Sequence, residues 1–335
     1  MNENDQKPTP WRNSLAIIVF NILIILLFPV ALLGYVIWVG KFFLSGGKTG
    51  VSFTAQGPLS ARYIQHQLGV RQDEPARRLM LGLPGVPPLG VRLAVDPLLL
   101  AHRLTGYVPK AFRYPYEGDI SMGYLASARQ TFFDAVVDRN LPVMAQFVIL
   151  GAGFDTRAFR FPRSTGVRSF EVDTPETQAI KRQALEKAGI DTQGVTFVSA
   201  DFEKEDWLAR LVEAGFDPSQ PALFLWEGVI IYLDREAVEN TLRKIASTAK
   251  GSLVAFDYYT SESLESPALY WRYARAATKA AGEPLTFGID STPPSRVRLA
   301  EFLQSCGLTL GEQRTLGQET EGQRAWGGFA TAIVR

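Results

Sequence analysis

The chain has 335 residues, and its 35 Lys and Arg residues against 34 Asp and Glu residues give a formal net charge of +1 at pH 7. A balance of this kind argues against a general nucleic-acid-binding protein, which would carry an excess of basic residues. Two His and one Cys do not support a structural zinc cluster. The single cysteine, Cys306, also excludes an intrachain disulfide.

An apolar stretch near the start of the chain predicts a membrane helix. No charged residue lies between Arg12 and Lys41, and most of the residues between them are Ile, Leu, Val, Phe or Ala. At about 1.5 Å per residue, a helix over 14–40 is roughly 40 Å long, enough to cross a hydrocarbon core of about 30 Å with tilt. A signal peptide fits less well, because the run exceeds a usual h-region and no A-x-A-like site follows it. A core helix is the other alternative.

Charges on the two sides of this span do not settle its orientation. Lys7 and Arg12 precede it, while Lys41 and Lys48 follow it, so the positive-inside count is a tie. Because nothing in the cysteine content marks an extracytoplasmic domain, we expect a single-pass membrane protein with a cytoplasmic body.

Composition divides the rest of the chain into segments. We predict a short tail over 1–13, the transmembrane helix over 14–40, a Gly-, Ser- and Lys-containing linker over 41–58, a loosely helical cap over 59–123, and a main domain over 124–335. Apolar residues at helical spacing predict a helix over 120–139 that packs on a sheet. Its predicted buried face comprises Tyr124, Leu125, Ala128, Phe132, Ala135 and Val136.

From Gln146 onward, strand-like and helix-like runs alternate, which predicts βαβ units on a parallel sheet. The predicted strands are Phe147–Leu150, Val167–Glu171, Val195–Ser199, Ala222–Trp226 and Leu253–Phe256. The predicted helices are "AIKRQALEKAG", "DWLARLVEAG", "REAVENTLRKIAS" and "SRVRLAEFLQSCG", and "LTLGEQ" with "GGFATAIV" forms a final strand pair. The prediction is therefore an α/β fold with five βα steps and a C-terminal hairpin.

Polar residues and glycines follow most of the predicted strands. In an open α/β sheet, ligands bind beyond the carboxyl ends of the strands. "VILGAGFDTR" places Gly151 and Gly153 in a turn between the first strand and a predicted helix, and glycines there let the backbone approach a ligand. Acids follow the next three strands: Glu171 and Asp173 in "EVD", Asp201 before Phe202 in "ADF", and Glu227 in "WEG".

The glycine turn departs from a dinucleotide site. G-x-G-x-x-G would place a third glycine where this chain has Thr156, and Asp155, expected in the first turn of a helix, would oppose a phosphate there. Asp155 is also readable as a helix-capping acid. Several acids around one glycine turn favour a nucleoside ligand without phosphate and with some positive charge, a description that S-adenosylmethionine fits.

Five ordered motifs carry a family resemblance. They are "SARQTFFD", "VILGAGFDTRAFR", "FEVDTPETQAIKR", "SADFEKEDWLARL" and "LFLWEGVIIYLDREAVENTLRKIA". With them the chain resembles the leucine carboxyl methyltransferase-like family of class I S-adenosylmethionine-dependent methyltransferases, over Leu59 to the last residue and most strongly over Tyr124–Phe256. The membrane span is outside the family pattern. So is the Pro- and Gly-rich Met80–Gly90 stretch, which falls in the region that would cap the substrate.

The resemblance implies a Rossmann-like class I methyltransferase fold with a mostly parallel seven-stranded sheet, and it implies roles for particular residues. Arg129 of "SAR" would grip the cofactor carboxylate, Gly151 and Gly153 form the glycine turn, and Asp173 would hold the ribose, with Glu171 as the alternative. Asp201 and Phe202 would lie beside the adenine, and Glu227 would take the ammonium group. Phe202 replaces a leucine usual in the family, which keeps an apolar adenine contact.

The acceptor is not identified by these motifs. A carboxylate acceptor needs no base, whereas a hydroxyl acceptor needs one within hydrogen-bond reach, and Tyr232, Tyr258 and Tyr259 are the candidates. We expect structural or solvated roles for His66 and His102, and no metal. The sequence predicts a membrane-anchored O-methyltransferase acting on an unidentified small-molecule or lipid-like acceptor. The alternatives are a catalytically silent membrane-tethered binding protein and, less favoured by the turn, an NAD-dependent oxidoreductase.

Overall fold

The computed structural model describes residues 10–49, 53–160, 166–290, 292–321 and 323–335. Its helices in chain order are α1 Pro10–Thr49, α2 Phe53–Gln67, α3 Glu74–Gly82, α4 Pro88–Thr105, α5 Leu125–Asn140, α6 Pro175–Lys187, α7 Trp207–Glu213, α8 Arg235–Ala246, α9 Ser261–Glu265, α10 Leu269–Ala280 and α11 Ser295–Ser305. Its strands are β1 Gln146–Leu150, β2 Arg168–Asp173, β3 Val195–Ser199, β4 Ala222–Trp226, β5 Leu253–Tyr259, β6 Thr309–Leu316 and β7 Gly327–Ile333.

The seven strands form one sheet in the order β3-β2-β1-β4-β5-β7-β6. The first five are parallel, β7 runs antiparallel between β5 and β6, and β6 pairs only with β7. The strand order reverses at β1: β2 and β3 are added on one side of it, and β4 is then added on the other side. The carboxyl ends of β1 and β4 therefore flank the switch point at which ligands bind in open α/β sheets. The predicted fold class, a Rossmann-like methyltransferase sheet with a C-terminal hairpin, is confirmed.

Strand residues alternate between the two faces of the sheet, and each face has its own core. On one face, Val148, Phe224 and Phe256 pack with α7, α8 and α11. On the other face, Phe147, Ile149, Leu223 and Phe329 pack with α5. β1 and β4 are buried along their whole length, as central parallel strands are.

Several predicted helices differ from the structure in detail. The helix expected after the glycine turn is wrong as far as the structure describes it, because only a 3₁₀ turn over Arg157–Phe159 follows. α9 and α10 were not predicted. In α5, Ala135 is exposed whereas Phe133 and Val137 are buried, so the buried face is rotated from the predicted one.

The N-terminal region is more helical than predicted. The expected linker over 41–58 is helical over 41–49 as part of α1, and again from Phe53, where α2 begins. α2, α3 and α4 form the cap, whose core includes Leu59, Leu79 and Val91. The segment boundaries themselves stay predictions.

α1 lies antiparallel along α4. Gly34 contacts the backbone of Leu93 and Ala94, while near the other end of the contact the ring of Phe20 lies edge-on to Tyr107, with centroids 5.0 Å apart. A Cβ at Gly34 would lie 2.3 Å from the Ala94 nitrogen, so the two backbones meet at a distance that only glycine permits. Many large apolar side chains of α1 between Leu15 and Val36 are exposed. By length and composition, 29 residues of it, Asn13–Lys41, could cross a membrane.

Candidate cofactor and acceptor site

A cavity of about 440 Å³ opens at the carboxyl ends of the parallel strands. It is lined by the turns after β1, β2, β3 and β4, by the end of β5, by the first half of α2 and by the segment that follows α10. All seven residues predicted to bind the cofactor line it, and so does Tyr232. The roles predicted for them remain to be tested.

The glycine turn forms the floor of the cavity. Gly151 has φ +63°, a left-handed conformation that favours glycine. A Cβ there would lie 2.4 Å from Cγ2 of Val229. Gly153, with φ +43°, donates its backbone N–H to Oδ2 of Asp173 at 2.6 Å. The turn therefore brings the ends of β1 and β2 together.

Asp173 and Glu171, the two candidates for the ribose contact, lie in different surroundings. Asp173 lines the cavity, and its Oδ1 accepts the N–H of Thr174 at 2.7 Å. Burial raises its pKa, and the two backbone donors oppose that shift. Glu171 is fully buried against Lys181, whose Nζ lies 2.6 Å from Oε2, and burial raises its pKa to about 7. Of the two, only Asp173 has access to a ligand in this cavity.

Asp201 and Phe202 lie where β3 ends. Asp201 is partly exposed and pairs with Lys204 at 2.7 Å, a hydrogen bond that lowers the pKa of the aspartate. Phe202 packs between Trp207 and Trp226 with centroid distances of 6.1 and 6.3 Å. Its ring therefore belongs both to the cavity wall and to the core.

Arg129 and Glu227 carry opposite charges in the part of the cavity that we call its inner end, which Arg62 and the turns after β1 to β4 also line. Arg129 pairs with Asp257 at 2.6 Å; burial disfavours its charge, but Asp257 more than offsets this, and its pKa is raised. Glu227 Oε2 accepts hydrogen bonds from Arg157 at 2.6 Å and from Arg62 at 3.3 Å. Oε1 of Glu227 and Nε of Arg129 are buried and have no hydrogen-bond partner in the part of the chain that the structure describes.

Sequence reasoning missed Arg62 and Arg157, which lie beside these two residues. Arg62 comes from α2 in the cap, lines the cavity and pairs with Asp155 at 2.9 Å. Arg157 pairs with Asp155 at 2.5 Å, and its side chain is only 1% exposed. Asp155 is therefore a buried ion-pair partner, and its Oδ1 also accepts the backbone N–H of Arg157 at 2.7 Å, where the 3₁₀ turn begins. Because two guanidinium groups neutralise it, its charge is a weaker argument against a phosphate than the sequence suggested.

A second layer of buried charge supports Arg157 from below. Asp134 of α5 accepts from Arg157 Nε at 2.7 Å, from Arg71 Nε at 2.8 Å and from the Tyr114 hydroxyl at 2.9 Å. Burial alone would raise the pKa of Asp134, but Arg157 and Arg71 hold it far below its usual range. The layer fixes the side chain that in turn orients Glu227.

We call the part of the cavity lined by Tyr232, Tyr259, Thr54 and Glu283 its outer end. Tyr232 and Tyr259 line it, while Tyr258 points its hydroxyl at Gln313 and does not. Burial raises the pKa of Tyr232 to about 12. Thr54, at the start of α2, is hydrogen-bonded to Tyr232 and donates to Oε2 of Glu283.

The two histidines lie outside this cavity. His66 Nδ1 accepts the N–H of Asp73 at 3.0 Å, and His102 Nδ1 lies 3.1 Å from the carbonyl oxygen of Tyr107. Both contacts fix local backbone. No group of three or more His, Cys, Asp or Glu side chains is arranged to hold a metal ion within the described residues.

Residues 116–246 match the family model described as leucine carboxyl methyltransferase. The matched segment contains the ends of β1 to β4 and Arg129. It excludes the apolar helix, the cap and the segment after α10.

Curated relatives match a similar part of the chain. A Mycolicibacterium smegmatis protein named "Putative S-adenosyl-L-methionine-dependent methyltransferase" is 36% identical over 193 residues, which are 57% of this chain and 62% of the relative. A Frankia alni protein of the same description is 41% identical over 128 residues, 37% of this chain and 44% of the relative. The chain thus spans about half to three fifths of the length of the relatives it matches.

Two solved structures give the scale of structural similarity. A DUF574 family protein from Streptomyces avermitilis has a TM-score of 0.48 at 15% identity, covering 86% of this chain and 99% of its own. An O-methyltransferase family protein from Burkholderia thailandensis has a TM-score of 0.43 at 16% identity, covering 63% of this chain and 57% of its own.

Proposed function

We propose that the chain is a member of the leucine carboxyl methyltransferase-like family and an S-adenosylmethionine-dependent O-methyltransferase anchored in a membrane; the family match over residues 116–246 and the similar methyltransferases support this. S-adenosylmethionine supplies an activated methyl group on a sulfonium. The residues of the cavity would bind it and exclude water while the acceptor is held at attack distance.

One observation carries the proposal: buried polar atoms without partners belong to residues that line the inner end of the cavity. Nε of Arg62 and Nε of Arg129 are unpaired donors, and Oε1 of Glu227 is an unpaired acceptor, among the described residues. Buried polar groups without partners are costly, so a set of them beside one cavity indicates a ligand that completes it. The amino acid end of S-adenosylmethionine offers a carboxylate for the donors and an ammonium for the acceptor.

The other residues of the cavity suit the rest of the cofactor. Asp173 keeps lone pairs for the two ribose hydroxyls after accepting its two backbone N–H groups. Phe202 offers an apolar face for the adenine, and Asp201 an acceptor for its exocyclic amine. We assign the ribose contact to Asp173 rather than to Glu171, because Glu171 is fully buried with Lys181.

α1 is the proposed anchor. Only 6% of its apolar window is buried inside the protein, so most of its apolar surface needs another environment, which a bilayer supplies. We place the catalytic body on the cytoplasmic side, where S-adenosylmethionine is made. Alkaline carbonate extraction of membranes tests the anchor: a spanning chain stays in the membrane pellet, and release into the supernatant would contradict it.

Titration calorimetry of the full chain in detergent tests cofactor binding. We expect S-adenosylmethionine to bind and NAD not to bind. Absence of S-adenosylmethionine binding up to millimolar concentration would overturn the proposal, and binding of NAD in its place would favour an oxidoreductase. Cofactor binding without transfer to any acceptor would favour the catalytically silent binding protein.

A further inference from the structure

Glu283 is the one acid at the acceptor end of the cavity whose position no motif predicted. It follows Gly282, whose φ is +82°, shortly after the last residue of α10, Ala280. Its N–H donates to the carbonyl oxygen of Thr278 at 2.9 Å. This 6→1 hydrogen bond, together with the left-handed glycine before Glu283, is the Schellman motif that ends many helices. The helix end therefore sets the direction in which the chain leaves α10 and carries Glu283 to the cavity.

Two contacts fasten this segment to the site. Thr286 donates its N–H to the carbonyl oxygen of Ile231 at 2.9 Å, beside Tyr232. Thr54 of α2 is hydrogen-bonded to Tyr232 and donates to the Glu283 carboxylate. Glu283, Thr54 and Tyr232 thus form a connected set made of three separate segments.

The charges around the cavity disfavour a negatively charged acceptor. The acids that line it are Asp155, Asp173, Asp201, Glu203, Glu227 and Glu283. Arg62 and Arg129 are the only basic residues lining it among those described, and both are paired with carboxylates. Arg157 and Lys204 lie behind this lining and pair with three of its acids, and Asp257 pairs with Arg129. With these included, seven carboxylates face four basic side chains, so the one net positive charge of bound S-adenosylmethionine still leaves the site negative. The unpaired Nε donors of Arg62 and Arg129 are those proposed for the cofactor carboxylate, so a carboxylate acceptor would enter against that charge with no further basic residue in the described lining to receive it.

Resting on the proposed function, we propose that the acceptor is a neutral hydroxyl compound and that the Glu283 carboxylate takes its proton, directly or through Thr54 and Tyr232. The acceptor oxygen forms a bond to the methyl carbon as the carbon–sulfur bond breaks, and the electron pair of that bond stays on sulfur to give a neutral thioether. The hydroxyl proton goes to Glu283 and then to water. Each turnover releases one proton, whereas methylation of a carboxylate releases none.

Tyr232 is less suited to be the base itself. Burial raises the pKa of Tyr232 to about 12, so its phenol keeps its proton near neutral pH. Tyr232 can pass a proton along a chain of hydrogen bonds, but the group that finally accepts the proton has to be unprotonated before the reaction. In this set that group is Glu283.

The product of the reaction can be tested without knowing the acceptor. The full-length protein in detergent is incubated with [methyl-³H]S-adenosylmethionine and a total extract of a strain from which the gene for this protein has been deleted. Alkali releases methanol from a methyl ester but leaves a methyl ether intact, and hydriodic acid releases methyl iodide from the ether. We expect transferred label that resists alkali and is released by hydriodic acid. Volatile label released by alkali would overturn the acceptor assignment.

The Glu283→Gln variant tests the base. We expect at least a hundredfold loss of label transfer with S-adenosylmethionine affinity, measured by calorimetry, within about twofold of the wild type. Glu283→Asp should recover part of the rate. Glu265→Gln makes the same charge change on an exposed residue outside the cavity and serves as the control.

The outcomes separate the two proposals. Failure of the wild type to bind S-adenosylmethionine overturns the proposed function. Binding without any transfer overturns catalysis and the inference with it. Alkali-resistant transfer that Glu283→Gln retains within twofold overturns the role of Glu283 alone.

Discussion

The inner end of the cavity, proposed to bind the cofactor, is built mainly by the ends of β1 to β4, with Arg62 of α2 and Arg129 of α5 beside them. The outer end, proposed to bind the acceptor, adds Thr54 of α2 and Glu283 from the segment after α10 to Tyr232 and Tyr259. The inner end stands on a buried ion network through Asp155, Arg157 and Asp134. The outer end is joined by a few hydrogen bonds between segments far apart in sequence. The family match over residues 116–246 includes the ends of β1 to β4 but neither α2 nor the segment after α10.

The largest expected effect is on stability at the inner end. Asp134→Asn would remove the charge that three guanidinium groups face, Arg71, Arg157 and Arg160. Breaking a buried ion pair from one side costs about 3–5 kcal/mol. Chemical denaturation should show a loss of this size. Asp138→Asn, on an exposed residue of the same helix, is the control and should stay within about 0.5 kcal/mol.

The same variant predicts a pH dependence. The folded-state pKa of Asp134 is depressed, so its stabilising contribution is present above the unfolded value of about 3.8 and is lost as the pH falls below it. The stability gap between wild type and Asp134→Asn should therefore be constant from pH 7 to about pH 5 and narrow in stronger acid. A gap that widens in acid would contradict the assignment of charge.

A smaller effect is expected on cofactor affinity. Asp173→Ala removes the carboxylate proposed to bind the ribose. We expect the dissociation constant for S-adenosylmethionine to rise at least tenfold, a loss of about 1.4 kcal/mol or more of binding free energy. Calorimetry measures it, with Asp138→Ala as the matched control. Unchanged affinity would mean that the ribose contact lies elsewhere.

The smallest predicted change concerns the outer end. Because the Tyr232 phenol stays protonated, Tyr232→Phe should lower label transfer less than about tenfold, while Glu283→Gln lowers it at least a hundredfold. The same tritium assay measures both variants. A larger loss of label transfer in Tyr232→Phe than in Glu283→Gln would mean that Tyr232, rather than Glu283, is the base.

The sequence could predict the inner end because its signals are local. A left-handed glycine after a buried strand and an acid at the end of the next strand follow from periodicity and turn chemistry, as Gly151 and Asp173 show. Val195–Ser199 and Ala222–Trp226 were predicted to the residue, because short apolar runs between turn signals leave little freedom in their bounds.

The outer end could not be predicted because it depends on contacts between distant segments. Thr54 and Glu283 are separated by 229 positions, and neither stands in a pattern that indicates a site. Arg62 likewise reads as a surface charge on a cap helix until the fold places it on Asp155. Gly282 is a local signal that the sequence analysis did not use: its left-handed conformation marks the end of α10, a helix that was not predicted.

The close approach of α1 to α4 has a consequence for how such a protein can be altered. Gly34 meets the backbone of Leu93 and Ala94, and Gly90 meets Ile37 and Trp38 in the same contact. A foreign apolar helix of equal length would bring side chains where no space exists. α1 and the cap are therefore matched to each other, and neither can be exchanged for an unrelated helix without reshaping the other.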